Sequence, residues 1–495
     1  MSRIWIQVCA IPAAALLVSQ DARLPRHAAE APLSIVSGPS PYPVGCQGSQ
    51  PGTDYLNAAV ETMLAADPAN PRHLIGVWQQ NRWSNGAADG LMTAVSTNGG
   101  MTWNLASAAF TQCSGGVIAR GSDPWATIAP DGTAYQIALS VSSGAVPTGV
   151  LVSRSTDAGY SWSTPMAIAS DNLGDDKETI TADPKDANFV YAVWDWTNVG
   201  NTQPAVFSKT ANAGANWTAP RAIYSPGTGG YTCCNQIDVL PDGTLVDIFV
   251  LTPRGSTSSY VAALQSADRG DTWGGPFIVA NDEAIGVVDA RTQAGIRTGN
   301  GIPSSAVDPS SGAIYVAWED ARYSGEQREG VVVSKSTDGG FTWSNPAQMN
   351  RVTEVQAFLP TIAVGPGGAV AITYYDFRQA GSDPSVLPAN VWLDVSDDGG
   401  ATWRESPVAG PFDIKRAALS GKAYFLGDYQ GLAASGGSFV PFFAATNAAP
   451  SPIPSSVFAS PRERAGRAEW DGHVEVNRNP LPLQVRKHAP TEPRR

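Results

Sequence analysis

Ser96-Thr97-Asn98-Gly99-Gly100-Met101-Thr102-Trp103 is the stretch that decides the fold, because the chain repeats it. Copies run Ser155-Thr156-Asp157-Ala158-Gly159-Tyr160-Ser161-Trp162, Ser266-Ala267-Asp268-Arg269-Gly270-Asp271-Thr272-Trp273 and Ser336-Thr337-Asp338-Gly339-Gly340-Phe341-Thr342-Trp343. Another is Ser396-Asp397-Asp398-Gly399-Gly400-Ala401-Thr402-Trp403, and a degenerate copy with Asn212 and Gly214 ends at Trp217. The chemistry is that of a hairpin turn: Asp or Asn accepts backbone N–H bonds, Gly supplies positive φ, and the hydroxyl closes the loop. The Trp that follows is expected to pack between neighbouring units.

A second pattern fills the intervals. A short strand ends in a Pro or Gly turn and a β-rich strand follows, as in Thr179–Pro184 leading to Phe189–Trp194 and Ser305–Pro309 leading to Ile314–Trp318. Such pairs recur seven times, with first strands near residues 61, 123, 178, 236, 303, 360 and 429. Each unit therefore reads strand A, turn, strand B, loop, strand C, eight-residue hairpin, strand D. Four strands per unit repeated radially make a propeller. The seventh unit lacks the hairpin, and residues 33–36 are expected to supply its outer strand and so hide the sheet edge.

Composition agrees. Of 495 residues, 50 are Gly and 38 Pro, charged residues are 15%, and apolar residues are 43%. That suits short strands and tight turns and disfavours a helical bundle. A net charge of −12 argues against nucleic acid as partner. No apolar run reaches the length of a membrane span. The four histidines (27, 73, 473 and 488) form no zinc motif, and no cofactor motif is present.

Residues 1–25, with Arg3 ahead of an apolar run from Ile4 to Val18, read as a signal peptide, so a secreted or periplasmic protein is expected. The propeller is expected over 33–460, and 461–495 reads as a disordered basic tail. Export makes oxidation possible, and Cys46 and Cys113 precede A strands of neighbouring units on one face, so they are expected to pair. The adjacent Cys233 and Cys234 are not expected to bond each other.

The repeated octapeptide is the Asp-box, and the chain resembles the Asp-box β-propellers whose best-known members are sialidases. The resemblance implies an all-β propeller, seven-bladed by the repeat count, with six blades, as in sialidase catalytic domains, as the alternative.

Strand direction alternates, so residues entering strand A share a face with residues leaving strand B, and the hairpins lie on the other. That first face collects Glu61, Asp123, Asp176, Lys177, Glu178, Asn235, Asp428 and Tyr429. Three matching segments leave B strands: Trp78–Arg82, Trp318–Arg322 and Tyr374–Arg378. Arg presents a planar fork suited to a carboxylate. The sialidase resemblance implies Arg82, Arg322 and Arg378 as a substrate clamp, Tyr429 as nucleophile, Glu178 as its partner and Asp123 as acid/base, with Asp428 beside them. Glu61, Asp320 and Asp376 complete the expected substrate-binding set. The alternative for Arg322 and Arg378 is a structural pair with Asp320 and Asp376, two residues earlier. The acids at the A strands are also oxygen ligands of the kind Ca²⁺ takes.

The expected activity is a secreted, exo-acting glycosidase on a carboxylate-bearing sugar, sialic acid by resemblance. Competing readings are a non-catalytic propeller that binds glycans or proteins, and a lyase on uronic polysaccharides using Tyr429 or Tyr375 as base.

Overall fold

The computed structural model describes residues 33–141, 147–170, 173–197 and 199–463. The expected signal peptide and nearly all of the expected tail lie outside these. Among the described residues every helical segment is a single 3₁₀ turn, and no helix is long and apolar enough to cross a membrane.

The strand pairing gives seven four-stranded antiparallel arrays among the described residues. Their inner strands are Asp54–Ala66, Arg120–Ile128, Asp175–Ala182, Tyr231–Val239, Ser304–Val307, Ala357–Gly365 and Gly431–Ser435. Each inner strand touches the next, and the last touches the first, so the arrays close into a ring: the fold is a β-propeller. The first two arrays are joined as one sheet only through Ala88 and Gly121. In the seventh array the outer strand is Ser34–Ile35, with Ser34 opposite Ala459, so a strand from the start of the chain closes the ring. Pairing continues slightly past the expected boundary: Arg462–Glu463 lies against the strand Ser438–Thr446.

The octapeptides are hairpins in which the Ser hydroxyl donates to the Asp or Asn side chain and accepts the Gly N–H four residues on, as Ser336 does with Asp338 and Gly340 at 2.8 and 2.9 Å. Their tryptophans pack on the preceding array. Trp103 meets Phe442 of the seventh array at 5.3 Å between ring centroids, and Trp273 meets Phe207 at 5.5 Å. The B strands contribute the buried indoles Trp78, Trp194 and Trp318, each with its N–H donated to a polar side chain. The core therefore lies between arrays.

One element lies outside the repeat pattern. Val287–Val288, Gly295–Arg297, Ala423–Phe425 and Ala418–Ser420 form a small extra sheet. It ties the long segment between the fourth and fifth arrays to the segment between the sixth and seventh, through a parallel pair that sets Arg297 opposite Phe425.

Candidate functional site at the channel mouth

Five inner strands break register at equivalent places, and each break holds one non-glycine residue at positive φ. These are Glu61 (52°), Asp123 (52°), Lys177 (46°), Cys234 (70°) and Leu359 (52°). A β-bulge re-aims side chains, and non-glycine residues in the left-handed region are held there by their surroundings. The surroundings are visible: Asp195 of the third array accepts the Cys234 N–H at 2.9 Å, and Glu319 of the fifth accepts the Leu359 N–H at 2.8 Å. A ring of bulges thus surrounds the end of the axial channel, braced by side chains from the preceding array.

The Asp428–Tyr429 pair joins this ring. Gly427 before it has φ 148°, and a Cβ there would meet Glu61 backbone at 3.0 Å, so glycine lets the two segments touch. Leu426 accepts the Glu61 N–H at 3.0 Å. Tyr429 is buried, its ring 5.3 Å from that of Trp125 and its hydroxyl donated to the Pro124 carbonyl at 3.4 Å. The Lys177 ammonium lies over both rings, at 4.4 and 4.3 Å, and none of the described ion pairs includes it. Lys177, Trp125, Asp428 and Tyr429 line one end of an axial cavity of about 420 Å³.

Two guanidinium groups stand beside them. Arg82 is buried, stacks 4.4 Å above Phe425, donates to Gln79 at 2.6 Å and lies 3.5 Å from the Glu61 carboxylate. Arg297 grips Asp428 with Nε at 2.9 and 3.1 Å and with a second nitrogen, and its remaining nitrogen reaches Ser420 at 3.0 Å.

Burial dominates the electrostatics. It pushes Glu61 and Glu178 well above the carboxylate range, and Asp123 reinforces both shifts. Neither Glu178 oxygen has a hydrogen-bond partner. Asp176 has an exposed side chain, yet desolvation by the protein around it raises its carboxyl to about 6, with Asp123 adding to the shift. Burial also raises the Tyr429 phenol, with Glu61 the most effective of the four acids that add to it. Burial thus disfavours the charged forms of Glu61 and Glu178, even with Arg82 beside Glu61 and Lys177 near Glu178.

The structure brings together Glu61, Arg82, Asp123, Glu178, Asp428 and Tyr429 from the expected set. It does not bring in Arg322 or Arg378. Arg322 is bound to both oxygens of Asp320 at 2.7 Å and to the Asn281 carbonyl of the previous array at 2.6 Å. Arg378 pairs with Asp376 and forks onto Glu405 at 2.7 and 2.8 Å, stacked 3.5 Å above Trp392. The expectation of a three-arginine clamp is corrected on that point, since a carboxylate two residues away is the nearest partner each guanidinium can find. Glu178 makes no hydrogen bond to Tyr429, so its expected pairing is not seen. Sequence reading missed Arg297, whose one signal is the unusual length of the segment between the fourth and fifth arrays.

The Cys46–Cys113 disulfide is formed, with Cα atoms 5.1 Å apart. Cys233 and Cys234 are also bonded to each other, contrary to expectation. Their segment sits in the bulge of the fourth array, where Thr232, Cys234 and Asn235 all donate to Asp195 and fix its course. Among the described residues the one grouping of Cys, His or acids at metal-ligand spacing is Cys46, Asp89 and Cys113, and its two sulfurs are bonded to each other.

No protein-family model and no curated protein matches the sequence. Among solved structures the chain is similar to a Hadza microbial sialidase, with TM-score 0.47, 13% identity, and 80% of this chain and 75% of that chain covered. It is similar to the α-L-arabinofuranosidase Arb93A of Fusarium graminearum, with TM-score 0.44, 12% identity, and 88% and 98% covered. A single-site mutant of the NanB sialidase of Streptococcus pneumoniae gives TM-score 0.43, 10% identity, and 82% and 94% covered. The fold assignment rests on the strand pairing described above.

Proposed function

We propose that the protein is an exported glycoside hydrolase that removes an acidic sugar, sialic acid in the first instance, from the end of a glycan at the channel mouth. One observation carries the reading: the Lys177 ammonium lies over the Tyr429 ring, Arg297 grips the neighbouring Asp428, and Arg82 stands against Glu61, so three cations and several carboxyl groups gather around the Asp428–Tyr429 segment. The cations suit a sugar carboxylate, and a phenol beside acids suits nucleophilic displacement at an anomeric carbon. Two disulfides support export, since such bonds persist in oxidising compartments.

In this mechanism the Tyr429 oxygen attacks the anomeric carbon as the glycosidic C–O bond breaks. The Tyr429 proton passes to Glu61, and the leaving oxygen takes a proton from Asp123. Asp123 then deprotonates a water that attacks the same carbon, and Tyr429 departs with the proton returned by Glu61. Glu61 serves better than Glu178 because Gln79 and Arg82 orient it. The ionised form of Glu61 is scarce at low pH, so turnover should rise with pH along a limb above the usual carboxylate range.

The test is hydrolysis of aryl glycosides of sialic acid, glucuronic acid and arabinofuranose, with Tyr429→Phe alongside. Turnover confined to an acidic glycoside and lost in Tyr429→Phe is expected. Absence of acidic-glycoside turnover, or full activity in Tyr429→Phe, contradicts the reading. The hydrogen bond from Tyr429 to a backbone carbonyl favours a second reading, a propeller that binds acidic glycans without cleaving them. That protein would bind a sialoside and release nothing.

A further inference from the structure

A second cavity of about 640 Å³ opens beside the channel, within the range of small-molecule sites. Cys234 and Ile302 line both cavities, so the two adjoin. The groove is bordered by the bonded Cys233–Cys234 pair and by Tyr231, which is 38% exposed. A disulfide is a soft, polarisable apolar surface, and with a tyrosine ring it suits the C–H face of a pyranose. The hydroxyls and amides of Ser258, Ser259, Asn281 and Asn300 stand around it, ready for sugar hydroxyls.

Its charge differs from that of the channel mouth. Asp282, Glu283 and Glu326 line the groove, and no Lys or Arg does. An anionic sugar would be repelled there, whereas carboxylates accept hydrogen bonds from neutral sugar hydroxyls. The floor is also rigid, since Asp195 holds three donors around the disulfide, including the Thr232 hydroxyl at 2.7 Å.

We propose that this groove binds the neutral sugar units to which the acidic residue is attached. The substrate class is then an oligosaccharide with an acidic end and a neutral interior. The proposal rests on the reading of the channel mouth for the acidic end, while the groove itself can be tested without it.

Calorimetric titration with neutral probes — lactose, cellotriose, xylotriose and arabinotriose — reads the groove directly. At least one probe should bind wild-type protein, and Tyr231→Ala and Ser258→Trp should each weaken it about tenfold or more while keeping the wild-type melting temperature. Removing the floor with Cys233→Ser and Cys234→Ser together should weaken the same probe; Tyr231→Ala keeps the test decisive if that pair does not fold. Failure of all four probes to bind, or equal binding by wild type and the groove variants, overturns the proposal. Neutral-sugar binding that is lost in the groove variants, in a protein that cleaves no acidic glycoside, would sustain the groove and remove the hydrolase. Acidic-glycoside turnover without neutral binding would do the reverse.

Discussion

The two faces of this propeller use carboxyl side chains in opposite ways. On the hairpin face Asp157 and Asp338 are exposed, and hydrogen bonds hold both down to about 2, the largest contributions coming from the hydroxyls of Ser161 and Thr342. At the channel mouth Glu61 and Glu178 are buried, and desolvation drives both of them, and the more exposed Asp176, upward. The first arrangement satisfies each carboxylate locally and closes a turn. The second leaves Glu178 with neither oxygen hydrogen-bonded, which costs stability and persists where a fold is committed to a ligand. The pattern teaches that seven similar units can be specialised by which end of the strand carries the unsatisfied group.

Breaking the ring should have the largest effect. Phe442 is fully buried against Trp78 and Trp103 where the last array meets the first. Phe442→Ala should cost about 3–5 kcal/mol in denaturant melts, with ligand affinity of the folded fraction unchanged. At the mouth the sign should reverse. Glu178→Gln removes a buried acid with two unpartnered oxygens, and a gain of about 1 kcal/mol at neutral pH is expected in the same melts.

The pH dependence sharpens the contrast. Asp176 and Asp195 are raised by burial to about 6 and about 7, so the folded state binds more protons than the unfolded chain above pH ~4. Stability from these groups is full below that pH and is lost as pH rises through 6 and 7. The hairpin aspartates act in the other direction: their contribution is present above pH ~4 and is lost as pH falls towards 2. Denaturant melts across pH 2–8 should therefore peak in mild acid; a steady rise to pH 8 would show that the buried acids do not behave as described. The smallest effect belongs to Asp338→Ala, which should lower the melting temperature less than Phe442→Ala and leave glycan affinity unchanged.

The repeat was legible because each octapeptide is a complete local device: its Ser, Asp and Gly find their partners within four residues. The placement of Glu61, Asp123, Glu178 and Tyr429 on one face followed from strand alternation, and the Cys46–Cys113 pair from that alternation together with the expected export. The bulges were not legible, because Glu61 and Asp123 carry no glycine signature and are forced into the left-handed region by tertiary contacts. Arg322 and Arg378 looked equivalent to Arg82, but an aspartate stands two positions before each of them, whereas the neutral Gln80 stands two positions before Arg82. Arg82 therefore has no local carboxylate and turns to Glu61. Arg297 reaches the mouth through a small sheet assembled from two distant segments, which no local pattern announces.

In the proposed function the channel mouth, and not the strand-end arginines as a set, holds the acidic sugar. The most direct measurement is the dissociation constant of N-acetylneuraminic acid for Arg297→Gln and for Arg322→Gln, each beside wild type. Arg297→Gln should weaken binding about tenfold or more, the worth of a charge-assisted hydrogen bond, and Arg322→Gln should bind as wild type does. Loss of binding in Arg322→Gln with Arg297→Gln unaffected would contradict it.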